Sequence, residues 1–134
     1  MTFAEKAWYN PSMEQKFRPV LSVRIFGEEK CFGPGIAEIL RRVQQEHSLR
    51  AAAMSMGMAY SKAWTVIKNA EKELGFELLI SSTGGKHGGG AILSDRAAAI
   101  LTAYQAYRSK LQTFAEEEFA KGLAPLLSEE HDAR

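Results

Sequence analysis

The chain holds a single cysteine, Cys31, which can close no internal disulfide and build no cysteine-rich metal site. That usage fits a reducing cytoplasm. Histidine is scarce as well: His47, His87 and His131 lie far apart, at no spacing that suggests metal ligands or a proton relay, and read as surface residues. No apolar run approaches the roughly 18 residues of a membrane span, and the N-terminus lacks the apolar core of a signal peptide. A cytoplasmic chain without a membrane partner is therefore expected. Cys31 has no evident base beside it, and no constellation of nucleophile, acid and base appears elsewhere. Lys86 is followed by His87, where a phosphate-binding loop needs Ser or Thr, and the Gly-x-Gly-x-x-Gly pattern is absent. These absences argue against an enzyme, a cofactor and a metal.

What is present is one domain's worth of chain, 134 residues with 46% hydrophobic and 25% charged side chains. The net charge is only +1, so its distribution carries more information than its sum. Between Arg41 and Gly90 seven cations (Arg41, Arg42, Arg50, Lys62, Lys68, Lys72, Lys86) face four acids (Glu46, Glu71, Glu73, Glu77). From Glu116 to Arg134 six acids face only Lys121 and Arg134, so the acidic end should point away from any phosphate backbone.

Residues 1–19 mix Phe3, Trp8, Tyr9 and Phe17 with Pro11 and Pro19 without period, and read as an arm, partly disordered or packed on a neighbour. Val20 to Phe26 alternates in the manner of a strand, turned by Gly27 to Lys30. Pro34 opens a helix in which Ile36, Ile39, Leu40 and Val43 form one face, ending near Glu46 and His47. Ser48 caps the next helix, whose inner face is Leu49, Ala52, Ala53 and Met56. The alanines let two backbones cross closely, and Gly57 supplies a positive φ for the turn. A third helix, about Ala59 to Leu74, buries Ala63, Ile67, Ala70 and Leu74, with Trp64 expected in the core beside them, and ends at Gly75. Phe76 to Ser81 and Ala91 to Leu93 form a hairpin around the Gly84 to Gly90 loop. Ser94 and Asp95 then start a helix of about 25 residues, nearly 40 Å long.

Helix, glycine turn, second helix and glycine-rich hairpin in this order describe a winged helix-turn-helix, whose usual work is holding DNA. The expected class is mainly α with a small β-hairpin, the winged domain occupying 20–93, a long dimerisation helix 94–121 and an acidic, fraying tail 122–134. Along the long helix Ala97, Ile100, Tyr104, Tyr107, Leu111, Phe114 and Glu118 step by three and four, a heptad seam. Only its first turns can pack on so small a domain. Ile100, Tyr104, Tyr107, Leu111 and Phe114 are therefore the expected homodimer interface.

From about Leu21 to Phe119 the sequence resembles the DNA-binding domain of the molybdate-responsive ModE family, particularly its short standalone relatives of LysR-type winged-helix character. The motifs that carry the likeness are Phe32-Gly33-Pro34-Gly35, Ser48-Leu49-x-Ala51-Ala52, Gly57-Met58-x-Tyr60-x-Lys62-Ala63-Trp64, Glu71-x-x-Leu74-Gly75-Phe76 and Gly84-Gly85-Lys86-x-Gly88-Gly89-Gly90-Ala91. The resemblance implies a dimeric, bacterial-type transcription regulator with its third helix in the major groove and its wing near the minor groove. Full-length members add a molybdate-binding domain, whereas no molybdate site is expected in these residues. Departures fall where DNA would be touched: Ala59-Tyr60-Ser61-Lys62 replaces a more basic run, Ser81 and Ser82 stand where arginines are usual, and His87 replaces a glycine. Each lost cation removes a phosphate contact, which implies weak or strongly sequence-selective binding.

Double-stranded DNA is accordingly the expected partner. Tyr60, Ser61, Lys62, Thr65 and Lys68 are the candidates on the recognition helix, with Ser48, Arg50, Lys86 and His87 at phosphates and the wing. The alternative is an interaction module that keeps the winged scaffold and has lost DNA binding, which the serines at 61, 81 and 82 and the low net charge favour.

Overall fold

The computed structural model describes residues 16–82 and 89–128, and its backbone elements follow directly from local chemistry. Helix α1, Pro34–Glu46, opens on the proline and buries Ile36, Ala37, Ile39, Leu40 and Val43. His47 ends it in the left-handed region at φ 59, and its N–H donates to the Val43 carbonyl. Residues other than glycine enter that conformation uncommonly, and histidine is among those that do so most readily. The same His47 carbonyl accepts from the Ala91 N–H at 3.0 Å, so the end of α1 anchors the wing.

Helix α2, Leu49–Ser55, is capped as its sequence requires: the Ser48 Oγ accepts from the Ala51 N–H at 3.0 Å. Gly57 turns the chain at φ 68, and α3, Tyr60–Leu74, follows at once. Gly75 closes α3 at φ 88. Arg42 braces the turn from α1. Its guanidinium donates to the Ser55 carbonyl at 2.6 Å and to the Ser55 hydroxyl oxygen at 2.9 Å, while a second nitrogen bonds Glu38.

Two short antiparallel hairpins complete this part. Strand β1, Ile25–Phe26, pairs with β2, Lys30–Phe32, and β3, Leu79–Ser82, pairs with β4, Gly90–Leu93, with Ser82 opposite Gly90. The Glu71 carboxylate accepts from the Leu78 and Leu79 N–H groups at 2.7 and 3.2 Å, fixing where β3 leaves α3. Ser94 caps α4, Asp95–Glu118: its Oγ accepts from the Ala97 N–H and donates to the Glu77 carbonyl.

The chain forms two compact units, one of them Ser22–Ala106. Its core gathers Phe32, Ile39, Leu40, Val43, Ala52, Ala63, Ile67, Leu78, Ala97, Leu101 and Tyr104, with no charged side chain buried among them. The alanines sit at nearly zero exposure where helices cross, as close backbone approach demands. Among its described residues, the other unit brings 16–21 together with 107–128. There the Gln112 amide donates to the Pro19 carbonyl and accepts from the Leu21 N–H.

Three expectations need correction. The strand expected from Val20 is confined to Ile25–Phe26, because the backbone before it takes side-chain partners instead of a ladder: Gln112 at Pro19 and Leu21, and the Tyr104 hydroxyl at the Val23 carbonyl. The chain after Gly122 does not fray at once. A π-helical turn, Phe119–Leu123, leads into α5, Ala124–Leu127, where Pro125 occupies the first turn and forfeits no needed N–H. The third concerns Tyr104, placed at the dimer seam: it is 6% exposed, lies edge-on to Phe32 at 4.9 Å and donates to Val23, so its own protomer's core uses it. The arm's residues 1–15, the wing tip at 83–88 and the acids beyond Ser128 lie outside the described residues.

Candidate nucleic-acid interface

Amphipathic periodicity builds this surface. In α3 the stripe of Ala63, Ile67 and Ala70 faces the core, which turns Ser61, Thr65 and Lys72 outward at 100° per residue. Ser61, Lys62 and Thr65 are all exposed, and none of their side chains makes a hydrogen bond or ion pair among the described residues. Exposed polar groups without internal partners, on the first two turns after a tight turn, can donate and accept along a groove edge.

The flanking candidates are held differently. The Arg50 guanidinium lies over the Tyr60 ring, 4.1 Å from its centre, and makes no hydrogen bond or ion pair among the described residues. Lys68 pairs with Glu71 at 3.2 Å and lies 5.7 Å from the Trp64 ring centre. Since Glu71 also accepts two backbone N–H groups and an ammonium has three donors, Lys68 retains capacity for a further anion. Ser48 is half-buried with its oxygen already engaged in the cap, so a contact from it would come through its hydroxyl proton. Lys86 and His87 belong to the wing tip outside the described residues.

Trp64 departs from expectation. It is 47% exposed rather than part of the core, because it follows the buried Ala63 by one residue and is thereby rotated off the stripe toward the wing. Together with Arg50, Tyr60, Lys68, Ile80 and Ser81 it lines a groove of about 280 Å³ between α3 and the wing strands. The boundary position of Trp64 was visible in the periodicity; the open groove beside it was not.

Of the expected seam on α4, Tyr107 and Phe114 are exposed, and Leu111 and Ile100 are half-buried. Ile100 packs against the core of the Ser22–Ala106 unit. Among the described residues no cluster of three or more His, Cys, Asp or Glu stands ready to hold a metal, and no helix is long and apolar enough to cross a membrane.

Comparison with known proteins agrees with this geometry. Residues 37–98, from α1 into α4, match the model of the bacterial regulatory helix-turn-helix proteins of the lysR family. Over 68 residues, 51% of the chain, the sequence is 31% identical to the molybdenum-pterin-binding protein MopB of Rhodobacter capsulatus. That match spans 25% of MopB's own length. Over residues 37–98 the chain thus resembles the helix-turn-helix of the lysR-family regulatory proteins, and its likeness to MopB is consistent with a ModE-like domain.

Proposed function

We propose that this protein is a sequence-specific transcription regulator that binds double-stranded DNA as a homodimer, with α3 in the major groove and the glycine-rich wing at the minor groove. The observation that carries the reading is the outward stripe at the start of α3, where Ser61, Lys62 and Thr65 stand exposed behind a capped helix and a glycine turn. In this reading Tyr60, Ser61, Lys62 and Thr65 address base edges, while Ser48, Arg50, Lys68, Lys86 and His87 address phosphates. Base contacts set sequence preference; phosphate contacts set affinity and its salt dependence.

Dimerisation through α4 is supported by the exposed Tyr107 and Phe114, with Leu111 between them at heptad spacing. An aromatic pair left in water favours burial against a second copy. Two reading helices then meet half-sites roughly 34 Å apart. Molybdate plays no part in this proposal.

The test is binding of the purified protein to fragments of its own genome, beginning upstream of its own gene, by fluorescence anisotropy at several salt concentrations. Affinity that falls steeply with salt, together with a footprint of two half-sites about one helical turn apart, is the expected result. Binding no tighter than that of an acidic control protein, even at low salt, overturns the reading and leaves a winged protein-interaction module in its place. Leu111→Asp checks the seam: the species in solution should fall to half its mass, and an unchanged mass rejects α4 as the interface.

A further inference from the structure

We propose that the groove between α3 and the wing strands seats one sugar-phosphate strand of the bound duplex, with the Trp64 indole packed on deoxyribose and Arg50 and Lys68 meeting the flanking phosphates. This rests on the DNA-binding reading above and adds a contact residue to it. Half of the Trp64 surface lies open in a groove whose described lining includes Arg50 and Lys68 and no acidic residue. Glu71, the nearest carboxylate to Lys68, keeps only 10% of its side chain exposed and is withdrawn behind the backbone N–H groups it accepts.

The groove alternates in character. Trp64, Ile67 and Ile80 are apolar, while Arg50, Lys68 and Ser81 supply donors. A nucleic-acid strand alternates in the same way, with an apolar sugar face between anionic phosphates, so one strand of backbone satisfies both kinds of lining. Position decides between backbone and base. Ser61 and Thr65 occupy the outward face of α3, and Trp64 lies on its wing-side flank, against β3. A helix seated with its outward face toward base edges presents that flank to the groove wall, where sugars and phosphates lie.

Tryptophan is also the reporter. The chain has two, Trp8 and Trp64, so Trp8→Phe leaves Trp64 as the sole emitter. In that background, a labelled duplex carrying the footprinted site is titrated while anisotropy reports binding and acrylamide quenching reports access to Trp64. Binding should shield Trp64 from acrylamide. Trp64→Ala should weaken affinity about tenfold on every sequence without altering the salt slope. Arg50→Gln and Lys68→Gln should each lower the slope by about one.

A duplex that binds while Trp64 stays fully open to acrylamide overturns the groove assignment and leaves DNA binding intact. No bound duplex at all overturns both. Because the shielding measurement needs no change at position 64, it decides the matter even where Trp64→Ala fails to fold.

Discussion

The Arg50 guanidinium lies 4.1 Å from the centre of the Tyr60 ring, so the first turn of α2 is tied to the first turn of α3 by a cation over an aromatic face. A contact of this kind at an exposed site is worth about 0.5–1 kcal/mol. Arg50→Ala and Tyr60→Leu should therefore each destabilise the domain, and a double-mutant cycle by chemical denaturation should return a coupling of about that size. In the DNA-bound state Arg50→Ala should also lower the salt slope by about one, which Tyr60→Leu should leave nearly intact. Zero coupling would mean that the two side chains merely adjoin.

Ser48 is assigned two roles, cap and phosphate contact, that mutation can separate. The Ser48 Oγ accepts from Ala51 at 3.0 Å. Ser48→Ala should cost about 1 kcal/mol of stability through the lost cap. Ser48→Asp restores an acceptor for the helix N-terminus and should recover that stability, yet it places a negative charge against the duplex. Recovery of stability with loss of DNA affinity is the expected pattern. Recovery of both would restrict Ser48 to capping.

Capping and turn chemistry were the most legible features of this chain. Ser48, Gly57, Gly75 and Ser94 mark helix boundaries because each satisfies a backbone demand that few residues meet, and all four do so in the structure. Elements decided by distant partners were not legible. The strand expected from Val20 is cut short because Tyr104, 81 residues away, supplies a hydroxyl to the Val23 carbonyl. The same bond removes Tyr104 from the α4 seam, although its heptad position is identical in kind to that of Tyr107. Trp64 was misplaced for a related reason: periodicity gives the angle of a side chain about its helix, not whether a neighbouring element arrives to cover it. His47 carried no signal for its left-handed turn.

Gly57 and Gly35 make a controlled comparison. A Cβ at either position would meet nothing within 4 Å, so crowding does not distinguish them. Conformation does. Gly57 holds φ 68, whereas Gly35 lies within the first turn of α1 and is not in the left-handed region. Gly57→Ala should destabilise by about 1–2 kcal/mol, the cost of a side chain in that region. Gly35→Ala should be neutral or stabilising by about 0.5–1 kcal/mol through reduced chain entropy. Thermal unfolding of the two variants with the parent checks both signs, and equal shifts would remove the backbone explanation for the turn.

Glu38 gives the domain an acid limb to its stability. Its carboxylate accepts from Arg41 at 2.6 and 3.0 Å and from Arg42 at 2.6 Å, and these bonds hold its pKa at about 2, below the ordinary 4.5. The partnership acts on Arg41 in the opposite sense, raising its pKa. A carboxylate with a depressed pKa in the folded state stabilises folding above its ordinary pKa, and that contribution is lost as pH falls toward the folded value. With Glu38 about one-third exposed, solvent screening limits the contribution to about 0.5–1 kcal/mol. Glu38→Gln should accordingly be less stable than the parent at pH 7. The difference should close as pH is lowered from 4.5 to about 2. Salt at 1 M should narrow it at neutral pH as well. Denaturant midpoints for both proteins across that range decide the matter. A gap that persists at the acid end would assign the loss to packing of the Glu38 side chain between Arg41 and Arg42 rather than to its charge.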